Sequence, residues 1–475
     1  MPTPRLRASA LLAFLTTAAL PAQRPTLSNA VRNFVSVDAP VVALTNARVL
    51  DGTGAAPQTA QTILLRDGNI AGIGPSASTP VPAGATVIDL TGKTVLPGLV
   101  MLHEHLYYPS GGGTYANLSE SFARLYLAGG VTSMRTGGNV NGYGELAMRD
   151  AIANGEKAGP WVDATAPYLQ MRGLSIGQMH NIAGPDDARR MVNFWADAGA
   201  TSFKAYMHIS REALAAAIDE VHKRGLKITG HLCSVTLAEA AALGIDNIEH
   251  AFFAATDFVA DKRPDQCPGQ TPGQLALAEV TPSDPRFTAL VRTLIDRRVA
   301  LTSTLPVFET FAPGRPLPPG LDVLTPQLRE LYEARHAATQ RNTRSHHSTL
   351  YPRAAALELA FSRAGGLLVA GTDPTGGGGV IAGFSNQRAI ELLVEAGFTV
   401  PEAVRVATLN GAIYLERDDR VGSIAVGKQA DLMIVDGDPS TTISDIRRVS
   451  LVFKAGVGYD PAKLIASVAG RVGLF

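Results

Sequence analysis

The sequence predicts an α/β protein, a (β/α)8 TIM-like barrel with a small β-sandwich domain built from both chain ends. Three observations support this fold class. The chain has 475 residues, of which 46% are apolar, and this suits a large buried core. Its central part alternates apolar strand-like runs with helical stretches, whereas short strands and tight turns dominate near both ends. A barrel alone takes about 250 residues, so the length leaves room for a second domain.

The central region contains eight apolar runs that we predict to be strands, because each is short and alternates with a helical pattern. The runs span residues 99–102, 131–135, 162–167, 201–206, 226–231, 246–252, 299–305 and 367–372. Helical stretches span residues 119–128, 185–198, 211–224, 237–243, 285–297 and 325–362. Strands that alternate with helices favour a closed parallel barrel over an open sheet, so residues 96–419 are assigned to the barrel.

The two end segments, residues 40–95 and 420–457, are predicted to form the β-sandwich domain. In the first segment Asp67-Gly68 separates two strand-like runs, which is a strong hairpin signal. In the second segment, turns at Val426-Gly427-Lys428 and at 436–439 bound further strand-like runs. We expect the two segments to combine into one domain that flanks the central region.

The first residues predict export. Arg5 and Arg7 precede an apolar stretch at 8–20 and then Pro21-Ala22-Gln23, so residues 1–22 are predicted to be a signal peptide. The apolar stretch is shorter than the roughly 20 residues that a membrane span needs. We therefore expect a secreted or periplasmic protein whose mature form is not held in a membrane.

The charge of the chain is balanced, with 42 Lys plus Arg against 42 Asp plus Glu. No global field favours nucleic acid or an anionic membrane, so the expected partner is a small-molecule substrate. The sequence is compatible with a homo-oligomer. The only cysteines, Cys233 and Cys267, leave three alternatives open: a disulfide, a thiolate ligand, or small buried hydrophobic residues.

Polar residues that end the apolar runs are the candidate site, because active sites of such barrels form at the C-terminal ends of the strands. His103 and His105 end the first run, and residues two apart on a strand project from the same face. Two imidazoles that converge in this way make half of a transition-metal site. Each candidate alone has a structural explanation, but their occurrence together on five strand ends favours a metal site. The other members of the set are Lys204, His231, His250 and Asp373.

This ordered set resembles the metal-dependent amidohydrolase superfamily over about residues 41–454. The position of Lys204, the Ile248-Glu249-His250 run and the export signal are similar to the prolidase-like and imidazolonepropionase-like branch. The resemblance is specific for the superfamily and the site, and weak for the substrate. The motifs that carry it are Pro97-Gly98-Leu99 through His105, Ser202-Phe203-Lys204, Gly230-His231, Asn247-Ile248-Glu249-His250, Gly371-Thr372-Asp373, residues 407–412 and residues 427–432.

The resemblance implies a centre of two divalent metal ions. His103, His105 and Asp373 would hold one ion, and His231 and His250 would hold the other. Lys204, carboxylated by carbon dioxide on its ε-amine, would bridge the two ions as a carbamate. Zinc is the default metal for a histidine-rich site, and manganese, cobalt and nickel stay open as alternatives.

The resemblance also implies an exported hydrolase that cleaves an amide bond of a small substrate with a metal-bridging hydroxide, with Asp373 as general base and then acid. Candidate substrates are an Xaa-Pro dipeptide or an N-acyl amino acid, including aromatic acyl-amino acid toxins. Tyr206, His208 and Arg135 lie near strand ends and are candidate contacts for the oxyanion or for a substrate carboxylate. Packing, helix capping or a structural ion pair is the alternative role for each of them.

Other functions stay open. A cyclic amide or lactone hydrolase of imidazolonepropionase type would use the same ligands. A mononuclear deaminase would share His-x-His and the strand-end Asp, but such deaminases typically carry Glu three residues after the fifth-strand His, and here His231 is followed by Leu232-Cys233-Ser234. A non-catalytic binding protein would keep the barrel alone, and the complete ligand set argues against it. Tyr107 and His180 are further candidate pocket residues in loops.

Overall fold

The computed structural model of the chain describes residues 25–111, 113–174 and 176–473. The predicted signal peptide at residues 1–22 lies outside these ranges, so export stays a prediction. Among the helices in the described ranges, none is at once long and apolar enough to cross a membrane.

The strands of the described residues are numbered in chain order. They are β1 (Val35–Val37), β2 (Val41–Val49), β3 (Gln58–Arg66), β4 (Asn69–Pro75), β5 (Thr86–Asp89), β6 (Lys93–Pro97), β7 (Leu99–Glu104), β8 (Tyr107–Gly111), β9 (Thr114–Asn117), β10 (Val131–Thr136), β11 (Trp161–Asp163), β12 (Ser202–Ala205), β13 (Lys227–Gly230), β14 (Asn247–Glu249), β15 (Ala300–Ser303), β16 (Leu368–Ala370), β17 (Leu432–Asp436), β18 (Val449–Lys454) and β19 (Val457–Tyr459).

The helices of the described residues follow the same convention, with additional 3₁₀ turns at Ala251–Ala254, Leu321–Val323 and Ile443–Arg447. They are α1 (Asn29–Arg32), α2 (Ser119–Ala128), α3 (Tyr143–Ala153), α4 (Pro185–Asp197), α5 (Arg211–Lys223), α6 (Leu237–Leu243), α7 (Gln270–Ala278), α8 (Pro285–Asp296), α9 (Leu305–Glu309), α10 (Pro326–Arg341), α11 (His347–Arg363), α12 (Phe384–Glu395), α13 (Val400–Ala407), α14 (Leu409–Tyr414) and α15 (Pro461–Ala466).

Both ends of the described chain contribute to one mixed sheet of nine strands, in the order β1-β19-β18-β17-β6-β2-β3-β4 with β5 beside β2. Strand β6 pairs antiparallel with β17, where Val95 lies opposite Ile434, and parallel with β2. Val95, Leu432 and Ile434 pack into one buried apolar cluster, which fastens the two ends together. The pairing defines a single sheet, so a sandwich with the predicted limits stays a prediction.

Each of the eight central runs contains a strand, namely β7 and β10 to β16. These strands form two parallel sheets, β11-β10-β7 and β12-β13-β14-β15-β16. The two sheets contact each other at two places, after β11 beside β12 and after β16 beside β7. Thr165 bridges to Ser202, and the amides of Thr372 and Asp373 donate to the His103 carbonyl at 3.1 and 3.0 Å. The pairing therefore supports a mixed α/β fold with parallel strands, and a closed barrel stays a prediction.

The helices cover the parallel strands with amphipathic faces. Helix α5 begins after Ser210, whose side chain accepts a hydrogen bond from the Ala213 amide, and it buries Leu214, Ile218 and Val221. The helices differ from the sequence prediction in two ways. The stretch 325–362 is two helices, α10 and α11, because residues 342–346 between them are not helical. Several further elements were not predicted, among them the hairpin β8–β9 and the helices α3, α7 and α12.

Candidate metal centre

His103 and His105 lie at the end of β7, where both rings face Asp373. The Nε2 atom of His103 is 3.6 Å from Asp373 Oδ1, and that of His105 is 3.2 Å from the same oxygen. One ligand atom from each residue falls within 4.8 Å of the others. All three side chains are buried. Two imidazole nitrogens and a carboxylate oxygen that converge in this way fit a divalent transition metal.

The protonation of both histidines is set by the partner of the other ring nitrogen. His103 donates from Nδ1 to Glu249 Oε2 at 2.7 Å, and His105 donates from Nδ1 to the Gly138 carbonyl at 3.0 Å. Because each Nδ1 carries the proton, each Nε2 has a lone pair directed toward the ligand cluster. Burial lowers the pKa of His105 to about 4, which keeps this ring in the neutral form that binds metal.

Close packing brings His103 next to the loop that carries Asp373. A Cβ atom on Gly371 would lie 2.4 Å from Cβ of His103, and one on Gly137 would lie 2.2 Å from its Cδ2. Only glycine fits at both positions. Asp373 itself adopts φ +57° and His250 adopts φ +64°, a left-handed conformation that is uncommon outside glycine. Such backbone strain is found where a site constrains its side chains.

Lys204, on β12, reaches the same cluster from the second sheet. Its Nζ lies 3.1 Å from His103 Nε2 and donates to the Gly137 carbonyl at 2.6 Å. The side chain is buried, and burial lowers the pKa of Lys204 to about 8. A neutral amine is the form that reacts with carbon dioxide, so the environment of Lys204 is compatible with a carbamate.

His231 and His250 form the second half of the cluster. His250 Nε2 lies 3.1 Å from His231 Nδ1, and its Nδ1 lies 2.8 Å from Thr304 Oγ1 and 3.8 Å from Asp373 Oδ2. Burial lowers the pKa of His231 to about 3 and also lowers that of His250, so both rings are neutral. The structure thus brings together all six residues predicted as ligands: Asp373 lies near both histidine pairs, and Lys204 contacts His103.

Arg135 corrects one interpretation made from the sequence. Its guanidinium donates to Glu249 Oε1 at 2.6 Å, to Asn247 Oδ1 at 2.9 Å and to the Leu102 carbonyl at 2.9 Å. The side chain is buried and does not line the cavity above the ligand cluster. Burial opposes the charge of Glu249, but Arg135 and His103 outweigh it and hold the pKa of Glu249 well below its usual range. Arg135 therefore holds Glu249, the partner of the candidate ligand His103, and is not available to a substrate carboxylate.

A cavity of about 410 Å³ opens directly above the ligand cluster. Tyr206 lines it, as predicted from its position after Lys204, and so does Tyr107. His208 and His180 are not part of its lining, and His208 packs against Gly173 instead. The other aromatic and apolar lining residues are Tyr115, Val140, Tyr168, Ile176, Met179, Val307, Phe308 and Phe311.

Cys233 and Cys267 form a disulfide, which settles the alternatives that the sequence left open. The bond ties the segment after His231 to the chain just before α7, whose residues Gln270 and Gln274 line the cavity. The disulfide therefore links a ligand strand to the rim of the cavity. Cys233 is not a thiolate ligand.

Sequence reasoning missed the role of Glu249 and two of the cavity tyrosines. Glu249 was part of a quoted motif, but nothing in a sequence shows that it contacts His103. Tyr115 lies on the hairpin β8–β9, which has no strand-end signal, whereas Tyr168 directly follows the predicted run 162–167 and had the same signal as the candidate ligands. A Tyr107-Tyr108-Pro109 run and Gly-rich residues before Tyr115 were the available hairpin signal.

The structure thus combines a mixed α/β fold with a buried cluster of His103, His105 and Asp373 that could hold a metal ion. A family model described as "Amidohydrolase family" matches residues 94–458, most of the chain. The chain belongs to this family, and the predicted superfamily is confirmed.

Comparison with known proteins agrees with this membership. A dihydroorotase from Solibacter usitatus is 36% identical over 107 residues, which cover 22% of this chain and 24% of that protein. A solved structure from Bifidobacterium longum, provisionally assigned as a prolidase, has a TM-score of 0.65 at 26% identity and covers 90% of this chain and 98% of its own. An Xaa-Pro dipeptidase crystallised with methionine in its active site has a TM-score of 0.66 at 19% identity and covers 88% and 100%. The chain thus spans about a quarter of the dihydroorotase that it matches.

Proposed function

We propose that this protein hydrolyses an amide bond of a small substrate with two divalent metal ions, zinc being the default metal. The observation that carries the proposal is the convergence of His103, His105 and Asp373 beside the His231–His250 pair, at the base of one cavity. Lys204 Nζ lies 3.1 Å from His103 Nε2, and we propose that this lysine, as a carbamate, would be a ligand to both ions.

The metal ions would lower the pKa of a water and polarise the scissile carbonyl when bound. Asp373 has its two oxygens directed to different histidines, Oδ1 to His105 and Oδ2 to His250, so it lies between the two ligand groups. From there its carboxylate accepts the proton of the attacking water and returns it to the leaving amine. Tyr206 lies edge-to-face with His231, with ring centroids 5.0 Å apart, and we propose that its hydroxyl donates to the oxyanion.

The lining of the cavity supports an amide with an apolar or aromatic body. Phe308 lies 5.6 Å from the His250 ring, between centroids, and tyrosines flank the other ligands. An Xaa-Pro dipeptide or an N-acyl amino acid, including an aromatic acyl-amino acid toxin, matches this lining. The name of the Xaa-Pro dipeptidase among the structural neighbours is consistent with such a substrate.

We also propose that the protein acts outside the reducing cytoplasm. The Arg5 and Arg7 pattern before an apolar stretch predicts a signal peptide. The Cys233–Cys267 disulfide supports the same compartment, because disulfides persist mainly in exported proteins.

The test is metal reconstitution followed by a hydrolysis screen. The protein is supplied with zinc and bicarbonate, its metal content is measured by elemental analysis, and dipeptides, N-acyl amino acids, cyclic amides and lactones are offered in parallel. We expect about two metal ions per chain and turnover of linear amides. One ion or none under these conditions would contradict the binuclear centre. A preference for cyclic amides or lactones would replace the proposed substrate class with the imidazolonepropionase-like alternative.

A further inference from the structure

A second cavity of about 340 Å³ adjoins the metal cavity. Tyr115 and Gly376 line both cavities, so the two spaces share one wall. The lining of the second cavity includes Leu328, Leu331 and Tyr332 of α10, together with Thr114 and several glycines. Arg335, one turn further along α10, is the charged side chain among its described lining residues.

The Arg335 guanidinium is placed against the loop that follows Asp373. A Cβ atom on Gly377 would lie 1.8 Å from Arg335 Cζ, so the absence of a side chain at position 377 makes room for the guanidinium. The guanidinium carbon also lies 5.4 Å from the ring centroid of Phe311, which lines the metal cavity. Arg335 thus stands beside the wall between the two cavities.

Arg335 has no carboxylate partner within ion-pair distance among the described residues. By contrast, the nearby cations Arg315 and Arg388 are paired with Glu309 and Glu395. The Arg335 guanidinium therefore lies near Phe311 and Gly377, and it lines a cavity whose described lining residues include no acidic side chain. Such an unpaired guanidinium is suited to bind an anionic group from outside the chain.

We propose that the second cavity is a subsite in which Arg335 binds a carboxylate of the substrate, while the scissile amide lies in the metal cavity. The inference rests on the proposed amide hydrolysis and adds a substrate class to it. The substrate has an apolar or aromatic acyl part and a carboxylate separated from the amide by a spacer long enough to pass Tyr115 and Gly376. Arg335 is a specificity residue in this arrangement and takes no part in bond cleavage.

The test uses binding and hydrolysis as separate measurements on the full chain. The probes are the N-benzoyl derivatives of glycine, 4-aminobutanoate and 6-aminohexanoate, each as the free carboxylate and as the carboxamide. Calorimetric binding to the protein is expected to favour the carboxylate at least tenfold for one of the two longer probes. Arg335→Gln is expected to remove this preference and to leave binding of the carboxamides unchanged.

Two further variants make the result specific. Gly377→Ala, which displaces the guanidinium and keeps its charge, should cause the same loss, and should add nothing to Arg335→Gln when the two are combined. Arg341→Gln is the matched control, because Arg341 is exposed on the same helix and lines neither cavity. It should keep the preference.

The outcomes separate the subsite from the proposed function. The subsite is overturned if no probe shows a carboxylate preference, if the preference survives Arg335→Gln, or if Arg341→Gln removes it as well. Hydrolysis of the same amides by the metal-loaded enzyme is measured independently. If carboxylate binding depends on Arg335 but no amide is hydrolysed, the subsite stands and the proposed amide hydrolysis is contradicted. If amides are hydrolysed but the carboxylate preference does not depend on Arg335, the proposed function stands and the subsite is contradicted.

Discussion

Glu249 accepts a hydrogen bond from Nδ1 of His103 at 2.7 Å, and this contact joins a candidate ligand of one parallel sheet to a carboxylate of the other. Arg135 holds the second oxygen of the same carboxylate at 2.6 Å. The chain thus orients His103 with a buried charge pair that no substrate touches. Outer partners of this kind fix the ring of a ligand and raise its basicity.

Glu249→Gln is expected to weaken metal binding 10–100-fold, because His103 loses its charged partner and Arg135 loses its counter-charge. A metal titration that follows occupancy at graded zinc concentrations measures the effect. Glu104→Gln is the matched control. Burial raises the pKa of Glu104 to about 8, so this carboxyl is already neutral at pH 7 and the amide should change metal binding little. Equal metal affinity of the Glu249→Gln variant and the parent would refute the positioning role.

Lys204→Ala should lose metal and activity together, and short carboxylic acids such as acetate should restore part of both by occupying the place of the carbamate. Lys227→Ala on the neighbouring strand β13 serves as the control. Lys227 pairs with the exposed Glu416, and it lies opposite Ser202, two residues before Lys204. Metal analysis and turnover with and without added acid are the measurements. A Lys204→Ala protein that keeps two ions and full activity would exclude the bridging role.

Asp373→Asn should keep the fold and lose turnover by 10²–10⁴-fold, because an amide oxygen cannot accept the proton of the attacking water. Circular dichroism checks the fold, and kcat is measured at equal metal content. Thr375→Val removes only the hydroxyl that donates to Asp373 Oδ1 at 2.7 Å and should cost much less. A loss below about tenfold for Asp373→Asn would move proton transfer to another group.

Removal of the disulfide in a Cys233→Ala/Cys267→Ala variant should lower the free energy of unfolding by about 3–4 kcal/mol, since the bond closes a sequence separation of 34 residues. Denaturant unfolding of the parent with and without a thiol reductant gives the same comparison. The double variant should not respond to the reductant. Metal content should stay near that of the parent, because Cys233 is not a ligand.

The buried Glu358 of α11 should make stability depend on pH. Burial raises its pKa from 4.5 in the unfolded chain to about 8 in the folded protein. Between these values the folded protein keeps a proton that the unfolded chain releases, so stability falls as pH rises. Glu358→Gln removes this contribution, and its stability relative to the parent should rise with pH by at most about 1.4 kcal/mol per unit up to about pH 8.

Urea unfolding of the parent and of Glu358→Gln at pH 5, 6, 7 and 8 measures this difference. Glu330→Gln, at an exposed position of α10, is the control and should show no such trend. A difference that is flat across the series would mean that Glu358 does not titrate abnormally.

The strands and the members of the candidate cluster were predictable because their signals are local. Apolar runs of four to seven residues identified all of β7 and β10 to β16, and the polar residue that ends a run identified His103, His231 and Asp373. Such signals need no knowledge of what lies opposite in space. The hairpin β8–β9 has no apolar run, so periodicity did not reveal it.

Contacts between distant segments were not predictable. Arg135 ends a run just as the ligands do, and only its distance to Glu249 shows that it points below the cavity. The same holds for Arg335, which sits on a helix far from the ligand motifs in sequence and reaches the loop after Asp373 only in the folded chain. Which face a strand-end side chain occupies depends on the register of its neighbours, and one sequence does not specify that register.

The pairing of β6 with both β2 and β17 has a consequence for how the centre is assembled. Strand β7, with His103, begins two residues after β6 ends, yet β6 gains its antiparallel partner only when residues 432–436 are present. Contacts between segments so far apart form slowly and late. During synthesis the strand that carries His103 is therefore expected to be fixed only after residues 432–436 have been made, and metal loading is expected to follow that pairing rather than to guide it.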